Sequence, residues 1–98
     1  MKNRSRNHII SEILDAANGG NATKTKLMYK AYLSFGQIKE YLSVLIESEL
    51  LNYDVYTRKF KTTEKGLRFL DTFNQMSDMI KEKEQLQQQV WVQREEVT

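Results

Sequence analysis

From Ser34 to Gly66 the chain reads SFGQIKEYLSVLIESELLNYDVYTRKFKTTEKG, and its hydrophobic period changes once along the way. Ser34 followed by Gln37 matches the capping box, in which a cap hydroxyl and an amide side chain satisfy each other's backbone donors. After it, Ile38, Tyr41, Leu42, Leu45 and Ile46 recur at helical spacing and define one buried face. From Leu50 the period becomes two: Leu51, Tyr53 and Val55 alternate with polar residues. Tyr56-Thr57-Arg58 turns the chain, and Phe60 and Thr62 continue a second strand. Thr63-Glu64 then brings a cap residue and an acid to the positive end of a new helix dipole.

Upstream of this stretch, Ile9, Ile10, Ile13, Leu14 and Ala17 form one apolar stripe and predict a helix from about Ser5 to Asn18. Gly19-Gly20-Asn21 stops it, because glycine takes left-handed angles cheaply. Thr23 caps a shorter helix that buries Leu27, Met28 and Ala31. Downstream of Thr63 there is no proline and only Gly66 interrupts, so a single helix runs to the end. About 34 residues of helix reach roughly 50 Å, more than a small domain is wide. Leu67 and Leu70 face the core, and the rest extends beyond it. Phe73, Ile80, Gln87 and Arg94 fall on one heptad position, and Met76, Lys83, Val90 and Val97 on another. With Met79 and Leu86 widening the seam, an apolar stripe from about residue 73 seeks a partner helix.

The fold class is thus mainly α with a small β-hairpin (α+β). Residues 1–63 form a compact unit with a short basic N-terminal arm, and residues 64–98 form one long helix. A chain of 98 residues with 40% hydrophobic and 29% charged residues supports one small core. It contains no cysteine, so no disulfide or thiolate zinc site supports that core, and self-association is the expected substitute. No apolar run exceeds three residues, as in Val44-Leu45-Ile46, far short of a membrane span, and the N-terminus lacks the apolar stretch of a signal peptide. A cytoplasmic location is expected. With one histidine, His8, and no His, Cys or Asp at ligand spacing beside it, neither a metal site, a cofactor nor catalysis is expected. Residues 1–63 carry ten Lys/Arg against six Asp/Glu, or +4, and residues 64–98 carry five against seven, or −2. A basic front half suggests a polyanion partner.

Three helices followed by a two-stranded hairpin is the winged helix-turn-helix order. Lys24-Thr25-Lys26-Leu27-Met28-Tyr29, Leu33-Ser34-Phe35, Tyr41-Leu42, Leu50-Leu51 and Thr63-Glu64-Lys65-Gly66 together resemble the small archaeal winged-helix DNA-binding proteins. That family comprises predicted transcription regulators and chromatin-associated proteins. The resemblance runs from about residue 5 to residue 90. It implies duplex DNA as the partner, a nucleoid association, and a homodimer whose long C-terminal helices pair as an antiparallel coiled coil. The antiparallel orientation is implied by the resemblance alone. Phe73, Met76, Met79, Ile80, Lys83, Leu86 and Val90 would form the seam.

In a helix-turn-helix the later helix lies in the major groove and the earlier one crosses the backbone. Opposite the buried face set by Ile38, Leu42 and Leu45 stand Gly36, Glu40, Ser43 and Glu47, with Gln37 and Lys39 on the flanks. Gln37 suits adenine, Lys39 guanine or phosphate, and Ser43 serves both. Ser34 and Phe35 stand at the start of that helix. Lys24, Thr25 and Lys26 lie at a helix N-terminus, where free amides favour an anion. Arg58, Lys59 and Lys61 ride on the hairpin, where alternation places Arg58 with Phe60 and Lys59 with Lys61. Lys2, Arg4 and Arg6 form a basic arm able to follow the backbone or enter a minor groove. Tyr29, Tyr32 and Tyr41 are expected in the core, with Phe35 left room for contact. The outward Glu40 and Glu47 favour a rival reading, a protein-docking module or adaptor.

Overall fold

The computed structural model describes residues 4–97, with side chains described as far as Ile80. The elements follow in the order α1 (Arg6–Ala17), α2 (Lys24–Lys30), α3 (Phe35–Glu47), β1 (Leu51–Asp54), β2 (Lys59–Thr62) and α4 (Glu64–Val97). Ser5, Thr23 and Ser34 cap the first three helices through their hydroxyls, and at Ser34 both halves of the capping box are present. Gly19 and Gly20 take φ of 102° and 84° immediately after α1, turning the chain back.

Helices α2 and α3 both end without glycine. Tyr32 and Glu49 adopt left-handed φ of 53° and 62°, and each closes a Schellman motif. At the end of α2 the Leu33 amide donates to the Met28 carbonyl, and at the end of α3 the Leu50 amide donates to Leu45. The αL cost at an L-residue is roughly 1–2 kcal/mol. It is offset because each motif satisfies carbonyls that the helix end would leave bare.

Strands β1 and β2 pair antiparallel with Leu51 opposite Thr62 and Tyr53 opposite Phe60. The Tyr53 and Phe60 rings lie 4.7 Å apart between centroids. Ala22, between α1 and α2, adds an isolated bridge to Phe60, whose amide donates to the Ala22 carbonyl at 2.7 Å. The core lies between α1, α2, α3 and the hairpin, and is built from Ile10, Ile13, Leu14, Leu27, Ile38, Leu42, Leu45, Leu51 and Phe60.

Several expectations are corrected. Ile46 is exposed, because it sits about 80° round the helix from Ile38, at the edge of the apolar arc. Tyr41 lies at the other edge and is only partly buried. Val55 is not in a strand: β1 ends at Asp54, whose side chain accepts from the Tyr56 amide at 2.8 Å and bends the chain one residue early. Leu67 faces solvent, whereas Leu70 joins the core, with Phe69 partly buried against it. The compact unit therefore runs past residue 63 into α4. His8 of α1 meets Phe73 at 5.9 Å between rings, so Phe73 leans on the domain.

Candidate nucleic-acid interface

Between α3, the start of α2 and the hairpin lies an open cleft of about 890 Å³. Lys24 and Thr25 reach it from α2, Lys39 and Ser43 from α3, and Thr57 and Arg58 from the hairpin turn. Its apolar floor is Leu42, Ile46, Tyr53 and Phe60, which accounts for the exposure of Ile46. None of its lining residues is acidic. Glu40 and Glu47 are exposed on α3 but lie outside the lining. Three cations around a concave surface free of carboxylates give it a positive potential, which favours an anion.

Arg58 reaches the cleft through local geometry that strand alternation does not describe. It lies in the turn, not in β2, and has a left-handed φ of 59°. The Arg58 amide donates to the Asp54 carbonyl at 2.7 Å, closing the turn. Its side chain is thereby freed from the buried face that Phe60 and Thr62 share.

The remaining candidates fall elsewhere. Lys26 lies with Glu12, Asp15 and Lys30 in a depression between α1 and α2. Lys59 and Lys61 line a separate hollow with Gly20, Asn52 and Asp54, and Lys59 donates to Asn21 Oδ1 at 2.8 Å. Gln37 is exposed, but its Oε1 accepts from the Ser34 amide at 2.9 Å, so the amide is turned back onto the cap. Arg4 and Arg6 do not extend as an arm. Arg4 is salt-bridged to Glu12 and its guanidinium lies 6.0 Å from the Tyr32 ring centroid. Arg6 begins α1 and stacks 5.0 Å from the Tyr41 ring. Lys2 lies outside the described residues.

Tyr29 and Tyr32 are the largest departure from expectation: instead of packing in the core they are 70% and 74% exposed, while Phe35, 61% exposed, has the room for contact expected of it. Helix α2 has only seven residues, and its inward face is taken by Leu27, with Ala31 behind it, which leaves Tyr29 on the opposite side. Tyr32 is the αL residue of the turn and points away from the core. Phe35 stands at the first position of α3, with the Lys24 ammonium 4.7 Å from its ring centroid. Helical spacing alone hid the exposure of Tyr29 and Tyr32, since they belong to a helix end and a turn.

Among the described residues no group of three or more His, Cys, Asp or Glu side chains is placed to hold a metal ion. No described helix is long and apolar enough to cross a membrane.

A family profile described as winged helix-turn-helix matches residues 3–81. No curated protein matches the sequence. Among solved structures, Sso10a-2 of Sulfolobus solfataricus, described as a DNA-binding protein, superposes with a TM-score of 0.78. The two are 19% identical over 89% of this chain and 93% of the other, so the likeness is one of fold.

Proposed function

The chain belongs to the winged helix-turn-helix family, and from that premise we propose that it is a homodimeric duplex-DNA-binding protein, a transcription regulator or a chromatin-associated protein. The observation that carries this reading is the convergence of Lys24, Lys39 and Arg58, with the Thr25 and Ser43 hydroxyls, on one cleft without acids. Helix α3 enters the major groove, and the cleft between it and the hairpin holds the sugar-phosphate strand bordering that groove. Phosphate contacts of this kind position a protein without specifying sequence. The DNA-binding description of Sso10a-2, a protein of the same fold, supports the same partner here.

Fluorescence anisotropy on a mixed-sequence duplex, titrated across salt, tests the reading. Three cleft cations predict a log–log slope of about −2.7 per domain. If Lys59 and Lys61 also meet phosphates, the slope steepens to about −4.5. Arg58→Ala should shallow it by about 0.9 on every duplex alike. Absence of binding at low salt would overturn the proposal and leave the docking-module reading, which the exposed Tyr29 and Tyr32 and the acids Glu40 and Glu47 favour.

A further inference from the structure

The tip of α3 presents an exposed phenyl ring on the proposed DNA face, and its chemistry narrows what it can read. A helix-turn-helix brings the N-terminal residues of its recognition helix to the base edges. Here those residues are Phe35, Gly36, Gln37 and Ile38. Ile38 is fully buried, and Gln37 Oε1 already accepts from the Ser34 amide, so turning both halves of the Gln37 amide to an adenine would give up the cap. Gly36 has nothing within 4 Å of where a Cβ would stand, so no packing inside the protein requires a glycine there. Its lack of a side chain instead lets the backbone of this turn come close to an external surface. Phe35 remains. Its ring is largely exposed, and Lys24 packs beside it.

We propose that Phe35 reads the C5-methyl group of thymine on the floor of the major groove. This rests on the DNA-binding reading above and adds a base preference to it. The major groove presents hydrogen-bonding atoms and one apolar feature, the thymine methyl, which apolar side chains contact. An exposed phenyl ring has no other complementary group there. Lys24, beside the ring and on the rim of the cleft, ties the position of that ring to the phosphate-binding surface. On this proposal the ring of Phe35, and not the amide of Gln37, carries the base recognition.

The test compares an A·T-rich duplex with its twin in which every thymine is replaced by uracil, which removes the methyl groups and leaves base pairing intact. Anisotropy is measured at one salt concentration with the full-length protein and with Phe35→Ala and Phe35→Leu. The unaltered protein should bind the uracil duplex about fourfold more weakly for each methyl contacted, the worth of burying one such group. Phe35→Ala should bind both duplexes equally, and Phe35→Leu, which keeps an apolar side chain, should retain part of the discrimination. Far-UV circular dichroism confirms that the variants are folded. Equal affinity of the unaltered protein for the two duplexes, or discrimination that persists in Phe35→Ala, overturns the assignment and leaves DNA binding standing. No binding to either duplex overturns the DNA reading itself.

Discussion

Thr62 is a polar residue of the wing that is only 4% exposed. Its hydroxyl donates to the Leu14 carbonyl at 2.5 Å, a bond spanning most of the domain in sequence. That carbonyl would ordinarily receive the Asn18 amide, but α1 ends tightly and Asn18 donates to Asp15 instead. Thr62 therefore satisfies an acceptor that the helix end leaves open inside the core. Replacing Thr62 by Val keeps the shape and removes the donor, which should cost about 1–3 kcal/mol. Urea denaturation would show this as a lowered midpoint with the slope unchanged; an unmoved midpoint would contradict it. Nothing local announces such a bond, since Thr62 reads simply as a β-branched strand residue. The same limit hid the capture of Arg4 by Glu12, though not the return of the Gln37 amide onto Ser34, which the capping-box spacing anticipates. Of that last pair, spacing revealed the capping box but not its consequence, that a candidate base-reading group is already in use. Burial of Leu27, Leu42, Leu45 and Leu51 was legible, because there periodicity and packing coincide.

The junction of α3 and α4 explains why Thr63-Glu64-Lys65-Gly66 stands out in the sequence. Thr63 caps α4 by accepting from the Gly66 amide at 3.0 Å, while its own hydroxyl donates to the Glu49 carbonyl at 2.7 Å. Its amide donates to Leu50, and Lys65 Nζ donates to the Ser48 carbonyl at 2.8 Å. One helix start thus satisfies three successive carbonyls at the end of another. Gly66 sits against this seam so closely that a Cβ there would lie 2.3 Å from the Leu50 oxygen and 2.6 Å from Thr62 Cγ2. Gly66→Ala should therefore destabilise the protein by about 1–3 kcal/mol. Gly36→Ala, in open space in another helix, should stabilise it by up to about 1 kcal/mol. A melting temperature raised in Gly66→Ala, as it should be in Gly36→Ala, would show that propensity outweighs the clash. The helix starts were legible because each has a hydroxyl cap. The ends of α2 and α3 were not, since Tyr32 and Glu49 carry the left-handed turns where glycine is the usual signal.

Across the whole molecule, α4 is the one element the domain cannot fully use. It runs from Glu64 to Val97, about 50 Å of helix, while among the residues with described side chains its last core side chain is Leu70, and Phe73 still meets His8. Beyond that point Met76, Met79 and Ile80 are 51%, 68% and 56% exposed, spaced as one stripe. Lys83, Leu86 and Val90, which continue the expected seam, lie outside the residues whose side chains are described, as does Trp91. A helix that leaves its domain with an apolar stripe uncovered gains most by pairing with a second copy, and a chain without disulfides has reason to. Under the proposed dimer, two winged domains on one arm bind a duplex with the second contact intramolecular, so affinity exceeds that of a single domain by an effective-concentration factor. Met79→Ser combined with Ile80→Ser should then yield monomers in sedimentation velocity without lowering the helical signal of the domain. Duplex affinity should fall by about 100-fold or more, with the salt slope roughly halved because half the phosphate contacts are lost. A variant that sediments as a dimer would move the interface away from this stripe. A monomeric variant with undiminished affinity and slope would mean that one winged domain carries all the binding and that the arm serves another partner.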